Sequence, residues 1–409
     1  MKIIVAHIEK QHVNALLTGL WKQGVLTKFF TSIAANKVKT PQYISENWRE
    51  KLKKRHFTDI DSRIITHFPL IALLANGIKS EYWRIFIAYK WFDKRVENAL
   101  KNADFDIFIG YENCNLTSFK AVKKLGKITV LDLAAIHHGV QNPILTQLGT
   151  FQKTTELDRI CAQKDEALRH TDYILTLSTF AEGSLIQSGF PAHRIFKTYL
   201  GVNHSVFTPK TTYNLPKKPI YTEGSLNFEK FENAPFELYF IGLMTNRKGL
   251  FFLMNVHKIL LERGLNVRLT LIGPIGDFSP PTEETPHYRY ISFLNHAELV
   301  KMHHNLDLFA FPSYLDSWGQ VVIEAMACGS PTLVSDNTGA KDAVEKGGGF
   351  VLPIDDLTAW ISAIEAFYND RFLLEQMGKQ AAKIAQNYTW EAYHAQVFDA
   401  MTAIYKQRA

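Results

Sequence analysis

The densest chemistry in the sequence lies in Phe311-Pro-Ser-Tyr-Leu-Asp-Ser-Trp-Gly-Gln-Val-Val-Ile-Glu-Ala-Met-Ala-Cys-Gly-Ser-Pro331. An apolar strand ends near Phe311, a loop carries Ser313 and Asp316, and a helix begins near Gly319 and stops before Gly329-Ser330-Pro331. Free backbone N–H groups and the positive helix end make the turn Ser317, Trp318, Gly319, Gln320 and Val321 a cradle for a diphosphate. Glu324, about one turn inside an otherwise apolar helix, is placed to accept two hydrogen bonds from a ribose diol. An N-terminal Asp cap and a solvated Glu would give the same letters. Upstream, Phe240-Ile-Gly-Leu-Met-Thr-Asn-Arg-Lys-Gly249 leads from a strand into the next helix. If the two strands are parallel neighbours, Arg247 and Lys248 bring positive charge to the same anion, since ligands sit at the carboxyl ends of such strands. A surface Arg-Lys pair would look alike.

The elements that must position these residues are legible as short runs of Val, Ile and Phe separated by longer helical patterns, the signal of βαβ units. The first half predicts strands at Lys2 to Ala6, Leu26 to Phe30, Asp106 to Ile109, Ile128 to Asp132 and Tyr173 to Leu177. Thr179-Phe-Ala-Glu182 reads as a capping box with threonine as the cap. From Val206 to Glu237 a proline-bearing stretch without periodicity marks a boundary. A second series follows at Glu237 to Ile241, Val267 to Ile272, Tyr288 to Ser292, Asp307 to Phe311, Thr332 to Ser335 and Gly349 to Leu352. Two consecutive α/β doubly wound domains are the economical reading, 1–205 and 206–385. In Trp390 to Gln407 apolar residues recur at helical spacing, so 386–409 should be an amphipathic helix packing back on the first domain.

Composition narrows the classes. The 409 residues are 46% hydrophobic and 21% charged, ordinary globular values that exclude disorder and low-complexity architectures. The net charge of +6 hides an asymmetry: residues 1–200 hold 28 basic and 18 acidic side chains, leaving 18 and 22 in the remainder. Halves of opposite sign fit domains with different partners. Cys114, Cys161 and Cys328 are too few and too scattered for a disulfide framework or zinc pairs, and no cluster of metal ligands is evident. The start has too short an apolar run for a signal peptide, and no stretch approaches a membrane span, so a soluble cytoplasmic protein is expected. Neither first-strand turn has Gly-x-Gly-x-x-Gly, which disfavours a dinucleotide oxidoreductase.

With these motifs in place, the chain resembles the retaining nucleotide-sugar glycosyltransferases of family 4, whose GT-B fold has two facing Rossmann-like domains. The resemblance rests on Asp316 and Glu324 with seven residues between them, on Thr338-Gly339-Ala340, on the Gly-x5-Lys-Gly segment ending in Lys248, and on Leu271-Ile-Gly-Pro274. Gly347-Gly-Gly-Phe350, Asp172 to Ser178, Gly201 to Pro209 and the Thr389-Trp390-Glu391 helix start support it. It implies that Glu324 binds the donor ribose, that Asp316 holds the donor sugar, and that Lys248 with the helix N–H groups supports the departing nucleoside diphosphate without a metal ion or cofactor. Gly273 would contact the base through its backbone. It also points to Ile128-Thr-Val-Leu-Asp-Leu-Ala-Ala-Ile-His-His-Gly139, where His137, rather than His138, would lie over the reacting sugar. The family usually has Glu at the place of Asp316 and Arg at the place of Leu243, so a binding-only sensor or partner subunit stays as the rival reading.

The loop after the first strand lacks the paired glycines common in the family, which makes Lys10 and His12, with His138, candidates for the acceptor pocket. The implied partners are a nucleoside-diphosphate sugar and a saccharide or glycolipid acceptor, in polysaccharide or glycolipid assembly. Basic residues concentrate between Lys37 and Arg63, especially Trp48-Arg-Glu-Lys-Leu-Lys-Lys-Arg-His-Phe57. That tract suits peripheral contact with an anionic membrane surface, or a solvated helix face. No nucleic-acid module accompanies it.

Overall fold

The computed structural model describes residues 1–9, 12–37, 55–57, 59–213, 217–222, 225–230 and 234–407, with 217–222 and 225–230 described by their backbone. Strands β1 (Ile3–Ala6), β2 (Leu26–Thr31), β3 (Ile65–His67), β4 (Ile107–Tyr111), β5 (Ile128–Leu133), β6 (Tyr173–Thr176) and β7 (Ile195–Lys197) form a parallel sheet in the order β3-β2-β1-β4-β5-β6-β7. After a hairpin of β8 (Lys217–Thr222) and β9 (Ser225–Lys230), a second parallel sheet follows. It contains β10 (Phe236–Ile241), β11 (Val267–Ile272), β12 (Tyr288–Ile291), β13 (Leu308–Phe311), β14 (Thr332–Ser335) and β15 (Gly349–Leu352), in the order β12-β11-β10-β13-β14-β15. The two doubly wound α/β domains expected from the sequence are therefore present.

These strands are rich in Ile, Leu, Val and Phe because each sheet is covered on both faces, and the buried Glu237 of β10 is paired with Arg268 of β11. In β1, Ile3 and Val5 point into one core while Ile4 and Ala6 point into another, the two-residue alternation of a strand feeding separate layers. The chain's last helix, Trp390–Lys406, returns to the first of these layers. Its Tyr393, Val397, Met401 and Ile404 are buried with Leu16, Leu17 and Leu20 of the helix Val13–Lys22.

Three local readings need correction. Edge strands β3 and β7 and the β8–β9 hairpin were not anticipated. Three-residue strands are too short to show a period, and a proline inside β8 disguised it as linker. The cap of helix Thr179–Gln187 is Ser178, whose hydroxyl accepts the Ala181 N–H at 3.1 Å, while Glu182 pairs with Lys197. Thr179 is thereby free to bind Asp342 of the other domain through both its N–H, at 2.8 Å, and its hydroxyl.

Further bonds cross the same junction. The Ser178 hydroxyl donates to the Ser317 carbonyl at 2.7 Å, and the Ser317 hydroxyl donates to the Ala134 carbonyl at 2.6 Å. Leu315 packs against Ile136 and Ala181 in a small apolar cluster. The loops after β5 and β13 consequently face each other at touching distance.

Candidate functional site

Each sheet has a topological switch point, where successive strands are added on opposite sides of the first strand. In the second sheet this is the crevice between β10 and β13, and ligands of open α/β sheets sit outside the carboxyl ends of such strands. The loops there are 242–249 and 312–319, the two segments that carry Lys248 and Asp316.

Glycines let these loops approach each other. Gly249 has φ +73°, and a Cβ on it would lie 1.8 Å from the Pro312 carbonyl oxygen. On the other side of β10, a Cβ on Gly273 would lie 2.0 Å from the Gly242 carbonyl oxygen. Only glycine fits either place. The short turn Asn246–Lys248 then aims Lys248 at Asp316: Nζ pairs with Oδ2 and lies 4.7 Å from the centroid of the Phe311 ring. Both side chains are nearly buried, at 11% and 15% exposure. Burial pulls the Lys248 ammonium below its ordinary range, with Asp316 opposing and Arg247 adding to the shift. The other Asp316 oxygen accepts the Trp318 N–H at 3.1 Å, which fixes the carboxylate.

Arg247 takes a different place from the one expected. Its guanidinium donates to the Leu315 carbonyl, while its own carbonyl accepts from Tyr314 N–H at 2.9 Å. It clamps the Asp316 loop rather than pointing freely at an anion. Leu243, by contrast, is exposed.

The helix Gln320–Ala327 follows directly. Its Val322 N–H bonds back to Gly319, and the N–H groups of Gln320 and Val321 have no intrahelical acceptor by the geometry of a helix start. Glu324 lies on the same helix, and burial, opposed by a hydrogen bond from Gln320, raises its carboxyl to about 7. A desolvated carboxylate next to free N–H donors is suited to a ligand carrying both an anion and paired hydroxyls. In the turn expected to hold the anion through its backbone, two side chains are engaged elsewhere. Trp318 is 2% exposed, its ring 5.4 Å from that of Tyr199 and 5.7 Å from that of Tyr388, and its backbone N–H is taken by Asp316. The Gln320 amide donates across the junction to the Gly201 carbonyl at 3.0 Å.

On the facing domain, His137 ends the loop after β5 and caps the helix His138–Gln147. Its Nδ1 accepts the Gly139 N–H at 3.1 Å, and its own N–H donates to Ser184 at 3.0 Å. Burial, then the neighbouring His138, pull this imidazole down to about 4, so the ring is neutral at physiological pH. With Nδ1 an acceptor, the proton of a neutral ring sits on Nε2. That buried atom has no hydrogen-bond partner and lies 3.7 Å from Asp165 Oδ1. His138 stacks on His137 at 4.1 Å, with its Nε2 3.2 Å from the same oxygen. His137, His138 and Asp165 have ligand-like spacing, within 4.8 Å of one another. The Gly139 bond makes His137 Nε2 a donor, however, and not a lone pair for a metal.

The first sheet's own switch point lies between β1 and β4, and its residues were mostly missed. His7 is buried, stacked 3.9 Å from Tyr111, and takes the Glu9 N–H on Nδ1 at 3.1 Å. The Tyr89 hydroxyl donates to Glu9, and Arg55 donates to the Ile8 carbonyl at 3.1 Å. For His7 and Glu9, the position directly after the first strand was the available signal; Arg55 and Tyr89 come from distant segments and had none. His12 is corrected from an open acceptor contact to a buried pair: its Nε2 lies 2.8 Å from Asp132 Oδ2, with 5% and 4% exposure. Burial works against its charge, but Asp132 outweighs that and raises the imidazole. Lys10 lies outside the described residues, as does most of the basic tract. Of that tract, Arg55 and Phe57 turn inward, and Phe57 is buried.

Comparison with known proteins adds to this geometry. Residues 225–384 match the family model described as glycosyl transferases group 1. The capsular polysaccharide biosynthesis glycosyltransferase CapM of Staphylococcus aureus is 28% identical over 166 residues, 39% of this chain and 44% of that protein. The D-inositol 3-phosphate glycosyltransferase of Corynebacterium urealyticum is 27% identical over 252 residues, 58% of this chain and 57% of that protein. The chain thus spans about half the length of these curated relatives. Among solved structures, sucrose-phosphate synthase from Thermosynechococcus elongatus aligns with TM-score 0.64 and 15% identity over 100% of this chain and 98% of its own. Anabaena HepE in complex with UDP-glucose aligns with TM-score 0.61 and 16% identity over 98% and 100%. Family match and fold agree: residues 225–384 match the glycosyl transferases group 1 model, and they lie in the second of two parallel-sheet Rossmann-like domains arranged as in the GT-B fold.

Proposed function

We propose that the protein moves a sugar from a nucleoside-diphosphate donor to a saccharide or lipid-linked saccharide acceptor, with retention at the anomeric carbon. What supports this reading is the second-domain crevice, where Lys248 pairs with Asp316 just ahead of the helix that starts at Gln320 and carries the desolvated Glu324. In this reading Glu324 accepts from the ribose diol, while Lys248 and the helix start stabilise the diphosphate as charge builds on it. Asp316, tied to Lys248, orients the donor sugar. His137 Nε2–H donates to a sugar hydroxyl from the facing loop, which Ile136 and Leu315 hold against the Asp316 loop.

The bond from the anomeric carbon to the diphosphate oxygen breaks as a bond to the acceptor oxygen forms on the same face. The acceptor hydroxyl's proton goes to the departing phosphate oxygen. Residues 1–205 would serve the acceptor and 206–385 the donor, with the protein working in the cytoplasm, against the inner face of the membrane. UDP-glucose is the first donor to test, because HepE was solved with it. The names of the curated relatives direct the acceptor screen to capsular saccharides and to inositol phosphates.

Leu243 supports a second reading, binding without turnover: an exposed apolar side chain stands where the family pattern has an arginine. One experiment separates the two. A nucleotide-sugar panel is screened by thermal shift, since a bound donor raises the melting temperature with its occupancy. The stabilising donor is then incubated with saccharide and lipid-linked acceptors, and the anomeric configuration of the product is read by NMR. Turnover with retention supports transfer. Stabilisation without turnover favours the sensor, and an inverted product overturns the retaining mechanism.

A further inference from the structure

We infer that the helical segment 69–101 of the first domain is a docking face for an anionic lipid bilayer. Five large apolar side chains in this stretch are exposed: Leu70 at 67%, Leu73 at 54%, Trp83 at 52%, Ile87 at 44% and Trp91 at 43%. Trp83, Ile87 and Trp91 follow one another at four-residue spacing along Glu81–Trp83, the π-helical turn Arg84–Tyr89 and the helix Lys90–Leu100. In an α-helix four residues overshoot a full turn by about 40°. The wider π turn takes part of that overshoot out, which brings the three side chains closer to one line.

This stripe is surplus to the fold. The same segment already buries Tyr82, Ile85, Ala88, Phe92 and Val96 on its core side. A helix with a satisfied core face has no folding reason to carry a second apolar stripe, and a concentration of exposed apolar residues marks an interaction surface.

The surrounding charge selects the occupant. Residues 69–101 carry Lys79, Arg84, Lys90, Lys94, Arg95 and Lys101 against Glu81, Asp93 and Glu97. Asp93 is turned inward, where it accepts the Thr117 and Ser118 N–H groups. Lys79, Lys90 and Lys94 are exposed, Lys90 next to Trp91 in the chain and Lys94 one turn on, where it pairs with Glu97 at 2.7 Å. Tryptophan with lysine around a shallow apolar surface is the chemistry of the bilayer interface, with rings at headgroup depth and ammonium groups on anionic headgroups. A second copy of the chain is a poor occupant, because a twofold contact would set these lysines against themselves.

This face sharpens the membrane contact put forward above and moves it away from the basic tract. It does not depend on sugar transfer, and its test reads lipid binding alone. If transfer does occur, docking has a consequence for it. Tyr89, on the same π turn, reaches Glu9 at the acceptor edge of the first sheet, so a docked face holds that edge close to the bilayer.

The full chain is co-sedimented with vesicles of phosphatidylcholine and of phosphatidylcholine mixed with phosphatidylglycerol. Binding to the mixed vesicles that weakens with salt is expected, and replacing Trp83→Ser and Trp91→Ser together should lower partitioning by at least about tenfold. Lys90→Glu with Lys94→Glu should lower it as well. Bromine-labelled lipid should quench wild-type tryptophan fluorescence, and that quenched fraction should disappear in the Trp83→Phe, Trp91→Phe protein. This keeps the inference testable should the serine variant not fold. No vesicle binding by the wild type, equal binding by the variants, or self-association abolished by the same serine pair would each overturn it.

Discussion

Glu324→Gln should make the ligand-free protein more stable, and by an amount that depends on pH. Burial raises the Glu324 carboxyl from 4.5 to about 7, a shift of about 2.5 units, worth about 3 kcal/mol at about 1.36 kcal/mol per unit. Because the folded-state value lies above the unfolded one, the native protein binds more protons across this window and its stability falls as pH rises. The loss begins near the unfolded value, about 4.5, and is complete above about 7. Glutamine cannot ionise and escapes that loss. Urea unfolding of wild type and variant at steps from about pH 5 to 8 should give a stability difference that grows with pH to about 3 kcal/mol. Subtraction removes Glu237, which is also raised to about 7 by burial and contributes equally to both proteins. A difference that stays flat in pH would refute the reasoning. A bound nucleotide whose ribose donates to the carboxylate should reverse the shift, so binding at pH 6 to 7 should release protons, detectable by calorimetry in buffers of different ionisation enthalpy.

Other perturbations probe the remaining parts. Asp316→Ala strands the Lys248 ammonium nearly buried and should cost about 3 to 5 kcal/mol, whereas Asp316→Glu keeps the pair and should hold turnover within about tenfold; chemical denaturation and kinetics decide. His137→Ala should lower turnover by about a hundredfold with UDP affinity unchanged, and lower stability by about 1 kcal/mol through loss of the helix cap. His137→Asn should restore the stability alone, because its shorter amide can cap Gly139 without reaching the place of Nε2. Turnover between pH 6 and 8 should show no break due to His137, whose imidazole titrates at about 4. Gly249→Ala, forcing a Cβ to 1.8 Å from the Pro312 carbonyl oxygen, should cost at least about 3 kcal/mol in a thermal or urea melt.

What the letters revealed and what they hid follow from distance along the chain. Strands such as Phe236–Ile241 and Leu308–Phe311 are legible because buried parallel strands are rich in apolar and aromatic residues, even where a buried pair such as Glu237 with Arg268 of the neighbouring strand breaks the run. Edge strands of three residues, Ile65–His67 and Ile195–Lys197, carry too few positions to show a pattern. Ser178 and Thr179 are both competent caps, and the choice between them was made by Asp342, which lies 163 residues away from Thr179 and binds it. Asp316 and Lys248 could be singled out because each sits at a strand-to-helix transition, and Glu324 because it is the one acidic residue in an apolar helix just beyond. That Lys248 pairs with Asp316, 68 residues on, needed the fold. The same holds for His12 and Asp132, 120 residues apart: the loop position of His12 was readable, but its burial against β5 was not. That the Trp318 ring packs between Tyr199 and Tyr388 was equally unreadable, because the three lie far apart in the chain and meet only in the fold.

The central claim, that the β10–β13 crevice holds a nucleoside diphosphate through Lys248 and Glu324, is most directly tested by titrating UDP calorimetrically into the wild-type chain and into Lys248→Ala and Glu324→Ala. The wild type should bind, and each variant, shown folded by circular dichroism, should lose at least about 2 kcal/mol, roughly thirtyfold in affinity. Absence of binding to the wild type, or equal affinity in both variants, would contradict the claim.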